Sequence, residues 1–174
     1  MLVVGENLLG LIKQENICPL SNYDNTCISL TLGNEAIYLI PSKKGDILEY
    51  GETMPKDNVS KVDIVDDIII EPHSGFLASS DEIINMPIGY FGFLQTKGSL
   101  ARLLVAIQCS DGQVDPGYKG KITFEIINNS DFRIKLKRKQ VVGNLYIFKT
   151  STNDNSPYEG KYNKAEGPTV FRKE

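Results

Sequence analysis

Residues 109–125 read CSDGQVDPGYKGKITFE, in which a turn leads into a short strand that carries one glutamate. The Asp-Pro-Gly sequence at 115–117 is typical of a tight turn. The following KITFEII (121–127) alternates, which places Ile122, Phe124 and Ile126 on one face and Thr123, Glu125 and Ile127 on the other. This stretch therefore predicts a strand with apolar residues on both faces.

Glu125 has two interpretations from the sequence alone. A carboxylate on a partly buried face is costly unless it is paired, and such a position suits a general base. The alternative is an edge-strand glutamate that faces water or pairs with a lysine. A surface hairpin needs only the turn, so the glutamate requires an explanation, and both interpretations stay open on the residues alone.

The composition predicts one all-β domain. The chain has 174 residues, of which 41% are hydrophobic and 24% charged, and its 8 Tyr, 7 Phe, 15 Gly and 8 Pro favour short strands joined by turns. Leu and Ile at helical spacing predict one short helix within residues 5–16. We expect a hairpin around Gly33 and Asn34, a short strand at 47–50, and further strands from residue 67 to 148, including LARLLVAIQC (100–109).

Charge and hydropathy limit the classes of binding partner that we expect. The net charge is −3 and the isoelectric point about 5.3, which argues against a nucleic-acid binder, because duplex binding depends on neutralising phosphates. The sequence contains no run of eighteen apolar residues, so it predicts no membrane span, and the N-terminal stretch lacks a basic flank and a cleavage signal. We therefore expect a cytoplasmic protein with no membrane partner.

Metal ligands are scarce in the sequence. Cys18, Cys27 and Cys109 have no metal-ligand spacing, and His73 is the single histidine. A closed zinc site, or the His/Cys/Cys zinc centre of common cytidine deaminases, cannot be built from these residues in one chain. Any hydrolysis is expected to proceed without protein-bound zinc.

Three polar segments allow more than one interpretation. TKGSLAR (96–102) offers backbone N–H groups, a hydroxyl and a guanidinium that could hold a phosphate, or it is a solvated turn. RIKLKRK (133–139) makes one basic strand face, best explained as a solvated face that resists edge pairing. The tail after residue 150 is polar and rich in Asn, Gly and Ser, which by itself predicts disorder.

Four motifs, in order and spacing, resemble the dCTP deaminases of the dUTPase-like superfamily: TKGSLAR (96–102), QVDPGYKGKITFE (113–125), GNLYIF (143–148) and PYEGKYNKAEGPT (157–169). The resemblance implies a distorted jelly-roll β-barrel, a homotrimer, and one domain over residues 1–174 whose arm, 151–174, closes over the nucleotide. It also implies hydrolysis of dCTP to dUTP and ammonia without zinc, with Mg²⁺ carried by the triphosphate.

The resemblance also assigns roles to residues of this chain. Glu125 matches the catalytic general base and acid, and Arg102 matches the arginine that positions it. The phosphate-binding turn corresponds to Lys97, Gly98, Ser99, Leu100 and Ala101. Asp115 and Tyr118 match sugar contacts, Thr123 and Phe124 lie on the strand that lines the nucleotide, and Tyr158 and Lys161 match arm residues that contact the triphosphate.

Four positions depart from the family pattern. Gly98 replaces a second serine, Ala165 a glutamine of the arm, Asn144 a glutamine after a strand glycine, and Ser29 an aspartate. Two alternatives therefore stay open beside dCTP deamination. One is dUTP diphosphatase or a bifunctional enzyme, because VDPGYKG resembles the water-activating motif of dUTPases; the other is a catalytically silent nucleotide-binding trimer. The expected ligands are dCTP and dUTP, with dTTP as an inhibitor.

Overall fold

The computed structural model describes residues 1–108, 111–152 and 156–173. The predicted N-terminal helix is confirmed as α1, Gly5–Glu15, which buries Leu8, Leu11 and Ile12 and ends at Asn16 in the left-handed region (φ 50°). A second helix of one turn, α2, covers Gly98–Ala101, and two 3-10 turns cover Leu20–Asn22 and Lys56–Asn58.

Across the described residues the remaining elements are strands, so the predicted all-β class is confirmed. Their bounds are β1 Tyr23–Asp24, β2 Cys27–Leu39, β3 Val59–Asp63, β4 Asp67–Ile70, β5 Ser74–Ser80, β6 Ile84–Asn85, β7 Tyr90–Thr96, β8 Val105–Ala106, β9 Gln113–Val114, β10 Lys119–Gly120, β11 Thr123–Asn128, β12 Ile134–Lys137 and β13 Val141–Lys149.

One large curled sheet organises the described chain. Its strands run in the order β8-β11-β5-β2-β13-β7-β9, and β1 and β3 add to β2. Two short ribbons, β6 with β10 and β4 with β12, complete the half-barrel. Apolar residues from both halves of the sheet fill one core, and Phe124 of β11 is among the largest side chains fully buried there.

The hairpin predicted at Gly33 and Asn34 is wrong, because both residues lie inside the single strand β2. The strand pairs with β13 before this point and with β3 after it, and it pairs with β5 on both sides of it, with a shift in register between Leu32 and Ala36. A Cβ at Gly33 would lie 2.9 Å from the backbone oxygen of Ser79. The glycine therefore allows a close approach of two backbones rather than a turn.

Two other predicted strands differ in the structure. Residues 47–50 form no strand, and the side chains of Ile47 and Tyr50 are almost fully exposed. The stretch 100–109 contributes only β8, because its first residues belong to α2, where the Leu100 and Ala101 N–H groups donate to the Lys97 carbonyl. Cys109 lies outside the described residues.

The basic strand is β12, which pairs with β4. Arg133 contacts Glu71 at 2.8 Å and Lys135 contacts Asp67 at 3.2 Å. Acidic side chains from around the neighbouring strand therefore balance much of the positive charge, as expected for a solvated face.

Candidate active site

A cleft of about 700 Å³ lies between the sheet and the C-terminal segment. The sheet contributes Leu39, Leu77, Leu94, Gln113, Val114, Thr123 and Glu125, the loops within 111–122 contribute Asp111, Gly112, Asp115, Tyr118 and Ile122, and other segments contribute Met54, Tyr158, Tyr162, Thr169, Val170 and Phe171. Its size is within the range of small-molecule sites in proteins.

The alternation of β11 places Glu125 in the wall of this cleft. Phe124 and Ile126 are fully buried on the core side, whereas Thr123 and Glu125 are half-buried on the other. The strand is held on both sides, with Glu125 opposite Leu77 of β5 and its N–H donating to the Ile107 carbonyl at 2.9 Å. The carboxylate therefore projects from a rigid strand into a partly enclosed site.

The predicted sugar-binding turn forms the adjacent wall. The Tyr118 N–H donates to the Asp115 carbonyl at 3.1 Å, and Gly117 has φ +82°. The Tyr118 hydroxyl donates to the Lys121 carbonyl at 2.6 Å. Burial raises the pKa of Tyr118 to about 12, and the neighbouring Tyr158 adds to the rise. Tyr118 is therefore a neutral hydrogen-bond donor at physiological pH.

The described part of the predicted arm, residues 156–173, packs against its own chain. It contacts the turn at Tyr158, whose N–H donates to the Pro116 carbonyl at 2.8 Å and whose ring lies 5.8 Å from that of Tyr118. Further along, Ala165 forms a parallel bridge with Gly120, and its carbonyl accepts from the Lys121 N–H at 2.8 Å. The composition of the tail predicted disorder, but the arm follows the turn and closes one side of the cleft.

Lys161 does not line the cleft. Its Nζ donates to the Arg172 carbonyl and lies 5.0 Å from the centre of the Phe171 ring and 5.5 Å from that of Tyr162. The ammonium is therefore held by the end of the arm, and contact with a triphosphate would require it to turn away from these rings.

The turn with Lys97, Gly98, Ser99, Leu100 and Ala101 also lies outside the cleft. Leu100 is buried, and the Arg102 side chain is exposed, with its Nη1 donating to the Gly98 carbonyl at 3.1 Å. Arg102 instead borders a shallow apolar pocket beside Leu103, Leu104 and Phe132. Within one chain, Arg102 and the predicted phosphate turn are not brought to Glu125.

The structure thus brings together Asp115, Tyr118, Thr123, Glu125 and Tyr158. Phe124 lies on the same strand, but its side chain is fully buried in the core, so only its backbone could face a ligand. Sequence reasoning missed several cleft residues that the fold recruits from distant segments: Leu39, Met54, Gln113, Thr169, Val170 and Phe171. No local signal marks Leu39 or Met54, whereas Thr169 falls within the GPT end of the arm motif.

Two of the departures from the family pattern are neighbours in the sheet. Asn144 of β13 lies opposite Ser29 of β2. The buried Oδ1 of Asn144 has no hydrogen-bond partner among the described residues. Neither residue lines the cleft, so these two replacements leave the wall around Glu125 intact.

The cysteines and other candidate ligands can be placed where the chain is described. Cys18 and Cys27 are free thiols, and burial, with a smaller effect of Glu82, raises the pKa of Cys18 to about 12.

Among the described residues, no group of three or more His, Cys, Asp or Glu side chains could hold a metal ion. Likewise, none of the described helices has the length and apolar character to cross a membrane. The cytoplasmic location stays a prediction.

A family model described as dCTP deaminase-like matches residues 4–150. The chain belongs to the dCTP deaminase-like family. This confirms the resemblance, and the matched residues contain three of the four motifs.

Curated relatives agree with this assignment. A Sulfurihydrogenibium sp. protein named "dCTP deaminase, dUMP-forming" is 30% identical over 97% of this chain and 91% of its own length. A Sulfurisphaera tokodaii "dCTP deaminase" is also 30% identical, over 84% of this chain and 78% of its own. A Streptomyces griseus "dCTP deaminase, dUMP-forming" is 34% identical over 60% of this chain, and the alignment spans 57% of that relative's length.

The fold has a solved counterpart. The crystal structure of the 2'-deoxycytidine 5'-triphosphate deaminase from Agrobacterium tumefaciens matches with a TM-score of 0.63 and 14% identity, over 84% of this chain and 47% of that one. At this identity the match supports the predicted dUTPase-like β-fold.

Proposed function

We propose that this protein hydrolyses dCTP to dUTP and ammonia, with Glu125 as general base and then general acid. The observation that carries the proposal is the position of the Glu125 carboxylate on a rigid strand, in one cleft with Asp115, Tyr118 and Thr123. The reaction would supply dUTP to pyrimidine deoxynucleotide metabolism, and so to the formation of dTTP.

The chemistry requires one carboxylate to move protons in two directions. Glu125 takes a proton from water as the water oxygen bonds to C4 of cytosine, and passes this proton to N3. It then takes the proton of the new C4 hydroxyl and passes it to the amino group, which leaves as ammonia when the C4–N bond breaks and the C4 carbonyl forms. A positioned general base of this kind is worth about 10²- to 10⁴-fold in rate.

The Tyr118 ring and the turn around Asp115 are proposed to seat the deoxyribose. Tyr118 is neutral and its hydroxyl already donates to the Lys121 carbonyl, so the ring presents an apolar face with a fixed orientation. We expect Mg²⁺ to arrive with the triphosphate, and catalysis to proceed without zinc.

Arg102 and the turn at 97–101 would come from a second copy of the chain. This proposal is supported by their position outside the cleft, beside the exposed apolar side chains of Leu103, Leu104 and Phe132. The expected homotrimer would bring the turn of one copy to the Glu125 cleft of another, and would cover this apolar surface.

A subunit-mixing experiment tests that arrangement. Arg102→Ala and Glu125→Gln are each expected to lose ammonia release. If the two groups act across a subunit boundary, randomly mixed oligomers should regain about a quarter of the parent activity, because about one site in four receives both intact groups. No recovery, after mass measurement has established subunit exchange, would place both groups in the same chain.

Release of diphosphate from dUTP is a second candidate activity. It is favoured by the name of the Sulfurihydrogenibium relative, "dUMP-forming", whose alignment covers nearly the whole chain. Asp115 lies in the same cleft as Glu125 and is the candidate for activating the water molecule of this second reaction. Attack of that water on dUTP would give dUMP and diphosphate.

One assay separates the candidates. Pure protein is incubated with dCTP or dUTP in the presence of Mg²⁺, and ammonia, diphosphate and the uracil nucleotides are measured. Ammonia with dUTP supports deamination alone, whereas ammonia with dUMP and diphosphate supports the bifunctional enzyme. Binding of dCTP without release of ammonia or diphosphate would instead support the silent nucleotide-binding trimer. The same binding assay with dTTP tests the predicted inhibitor.

A further inference from the structure

Asp111 lies just ahead of the motif at 113–125 and is a third carboxylate in the Glu125 cleft, beside Glu125 and Asp115. Among the described residues that line this cleft, the charged side chains are all acidic. A carboxylate accepts hydrogen bonds and cannot donate one. This wall therefore favours ligand groups that carry protons.

The chain runs from the proposed general base past Asp111 to the turn proposed to seat the sugar. The Ile107 carbonyl accepts from the Glu125 N–H at 2.9 Å, and Asp111 follows Ile107 by four residues. Asp115 comes four residues later and begins the turn that carries Tyr118. Four residues span at most about 14 Å. Asp111 is therefore within reach of a base that has its C4 at Glu125 and its sugar at Tyr118.

Strand β7 fixes the backbone next to Asp111. The Leu94 N–H donates to the Gly112 carbonyl at 2.7 Å, and Gln113 is paired with Phe93. A Cβ at Gly112 would lie 2.7 Å from the Leu94 carbonyl oxygen, so the two backbones are in close contact. The Asp111 Oδ1 accepts from the Gln113 N–H at 3.2 Å, and its Oδ2 has no hydrogen-bond partner among the described residues. One carboxylate oxygen is thus held at the start of β9, and the other is available to a ligand.

Cytosine and uracil differ at the group that such an oxygen would meet. Cytosine carries an amino group on C4, which donates hydrogen bonds, whereas uracil carries a carbonyl oxygen, which only accepts them. A carboxylate would bond to the amino group but would face the uracil oxygen with no proton between them. A site arranged to bond one polar group discriminates strongly against a ligand that lacks it, because the protein group is then left unpaired.

We propose that Asp111 is a specificity-determining residue, whose Oδ2 accepts a hydrogen bond from the 4-amino group and so favours cytosine over uracil nucleotides. The inference deepens the proposed function and rests on it for the position of C4 at Glu125. The contact is lost when the amino group leaves as ammonia. The uracil product is therefore held less tightly than the cytosine substrate, which favours its release.

Binding of a cytosine and a uracil nucleotide to the same variants tests this role without turnover. The ligands are dCTP and dUTP analogues with an imido group between the α- and β-phosphates, which blocks release of diphosphate, and every protein carries Glu125→Gln to prevent deamination. Asp111→Asn keeps an oxygen for the Gln113 N–H, so the start of β9 should keep its conformation.

The ratio of the two dissociation constants, Kd for the uracil ligand over Kd for the cytosine ligand, should fall about tenfold in Asp111→Asn. This is the lower end of the range for a hydrogen bond to a charged group, because the Asp111 side chain is exposed. An unchanged ratio would overturn the role of Asp111.

Two matched variants separate a direct contact from a general effect of charge. Asp46→Asn removes an exposed carboxylate whose Oδ2 accepts from the Lys43 N–H at 3.1 Å outside the cleft, and it should leave the ratio unchanged. Asp115→Asn removes a carboxylate of the cleft and should change binding of both ligands by a similar factor. A fall in the ratio as large in Asp115→Asn as in Asp111→Asn would overturn a direct contact between Asp111 and the base.

The outcomes keep this inference apart from the proposed function. If the protein without substitutions releases no ammonia from dCTP but the ratio depends on Asp111, deamination fails and the role of Asp111 stands. If Glu125→Gln still releases ammonia, the general base is wrong, and the ratio is measured from initial rates as the inhibition constant of the uracil ligand over the KM of the cytosine ligand. Binding of neither ligand to any of these proteins would overturn both proposals.

Discussion

Replacing Gly120 by alanine should loosen the arm; Gly120 does not itself line the cleft, although its added Cβ would lie 3.2 Å from the hydroxyl oxygen of Tyr118. Gly120 has φ +143°, and a Cβ there would lie 2.7 Å from the Ala165 N and 3.0 Å from its carbonyl oxygen. An L-residue held in such a conformation costs about 1–3 kcal/mol. The arm backbone would also have to move away from the new methyl group.

The contacts that oppose this movement are of similar size. Ala165 is held by the Lys121 N–H, and the Lys164 N–H donates to the Lys119 carbonyl. Two such hydrogen bonds contribute roughly 0.5–1.5 kcal/mol each. Because the strain is comparable with what holds the arm, the easiest relaxation is local detachment. Exchange of the Lys121 and Lys164 amides should rise about tenfold or more, since 1.4 kcal/mol corresponds to a factor of ten.

The assay combines amide exchange with the KM for dCTP, and Gly10→Ala is its control. Gly10 lies within α1 with nothing within 4 Å of its added Cβ. The same methyl group should therefore stabilise the protein there, by about 0.5–1 kcal/mol in urea unfolding. Unchanged exchange at Lys121 and Lys164 in Gly120→Ala would refute the packing of the arm on this glycine.

Three further predictions concern stability and the second activity. Phe124→Ala should cost about 3–5 kcal/mol in urea unfolding, because it empties the core behind Glu125. The free energy of unfolding should fall as pH rises from 9 to 12, because folding keeps Cys18 and Tyr118 protonated, each with a pKa of about 12. Tyr118→Phe should reduce the slope of this free energy against pH, between pH 10 and 12, by up to about 1.4 kcal/mol per pH unit. An unchanged slope would contradict the contribution of Tyr118. Asp115→Asn should lower diphosphate release from dUTP by about 10²-fold or more while ammonia release falls less, if Asp115 activates the second water; equal losses would instead make Asp115 a sugar contact.

The sequence pattern predicted the elements whose structure depends on residues that are close together in the chain. The alternation of 121–127 correctly placed Phe124 in the core and Glu125 on the opposite, half-buried face. The helical spacing near the N-terminus predicted α1. Both depend on the period of one element, which the sequence carries directly.

Features that depend on distant contacts were not predictable in the same way. Gly33 looks like a turn residue, but its actual requirement comes from β5, where the Ser79 carbonyl oxygen would lie 2.9 Å from any Cβ at this position. Met54 and Phe171 meet across the mouth of the cleft although more than a hundred residues separate them. The arm was recognised through its motif, because its polar composition by itself favours disorder.

Ammonia release from dCTP by Glu125→Gln, compared with the parent, tests the central claim most directly. The change removes the proton-accepting oxygen at nearly constant shape. Release should therefore fall about 10²- to 10⁴-fold while dCTP binding stays within a few-fold, and Glu15→Gln at the exposed end of α1 should match the parent. Ammonia release at the parent rate from Glu125→Gln would contradict the assignment of Glu125 as the general base.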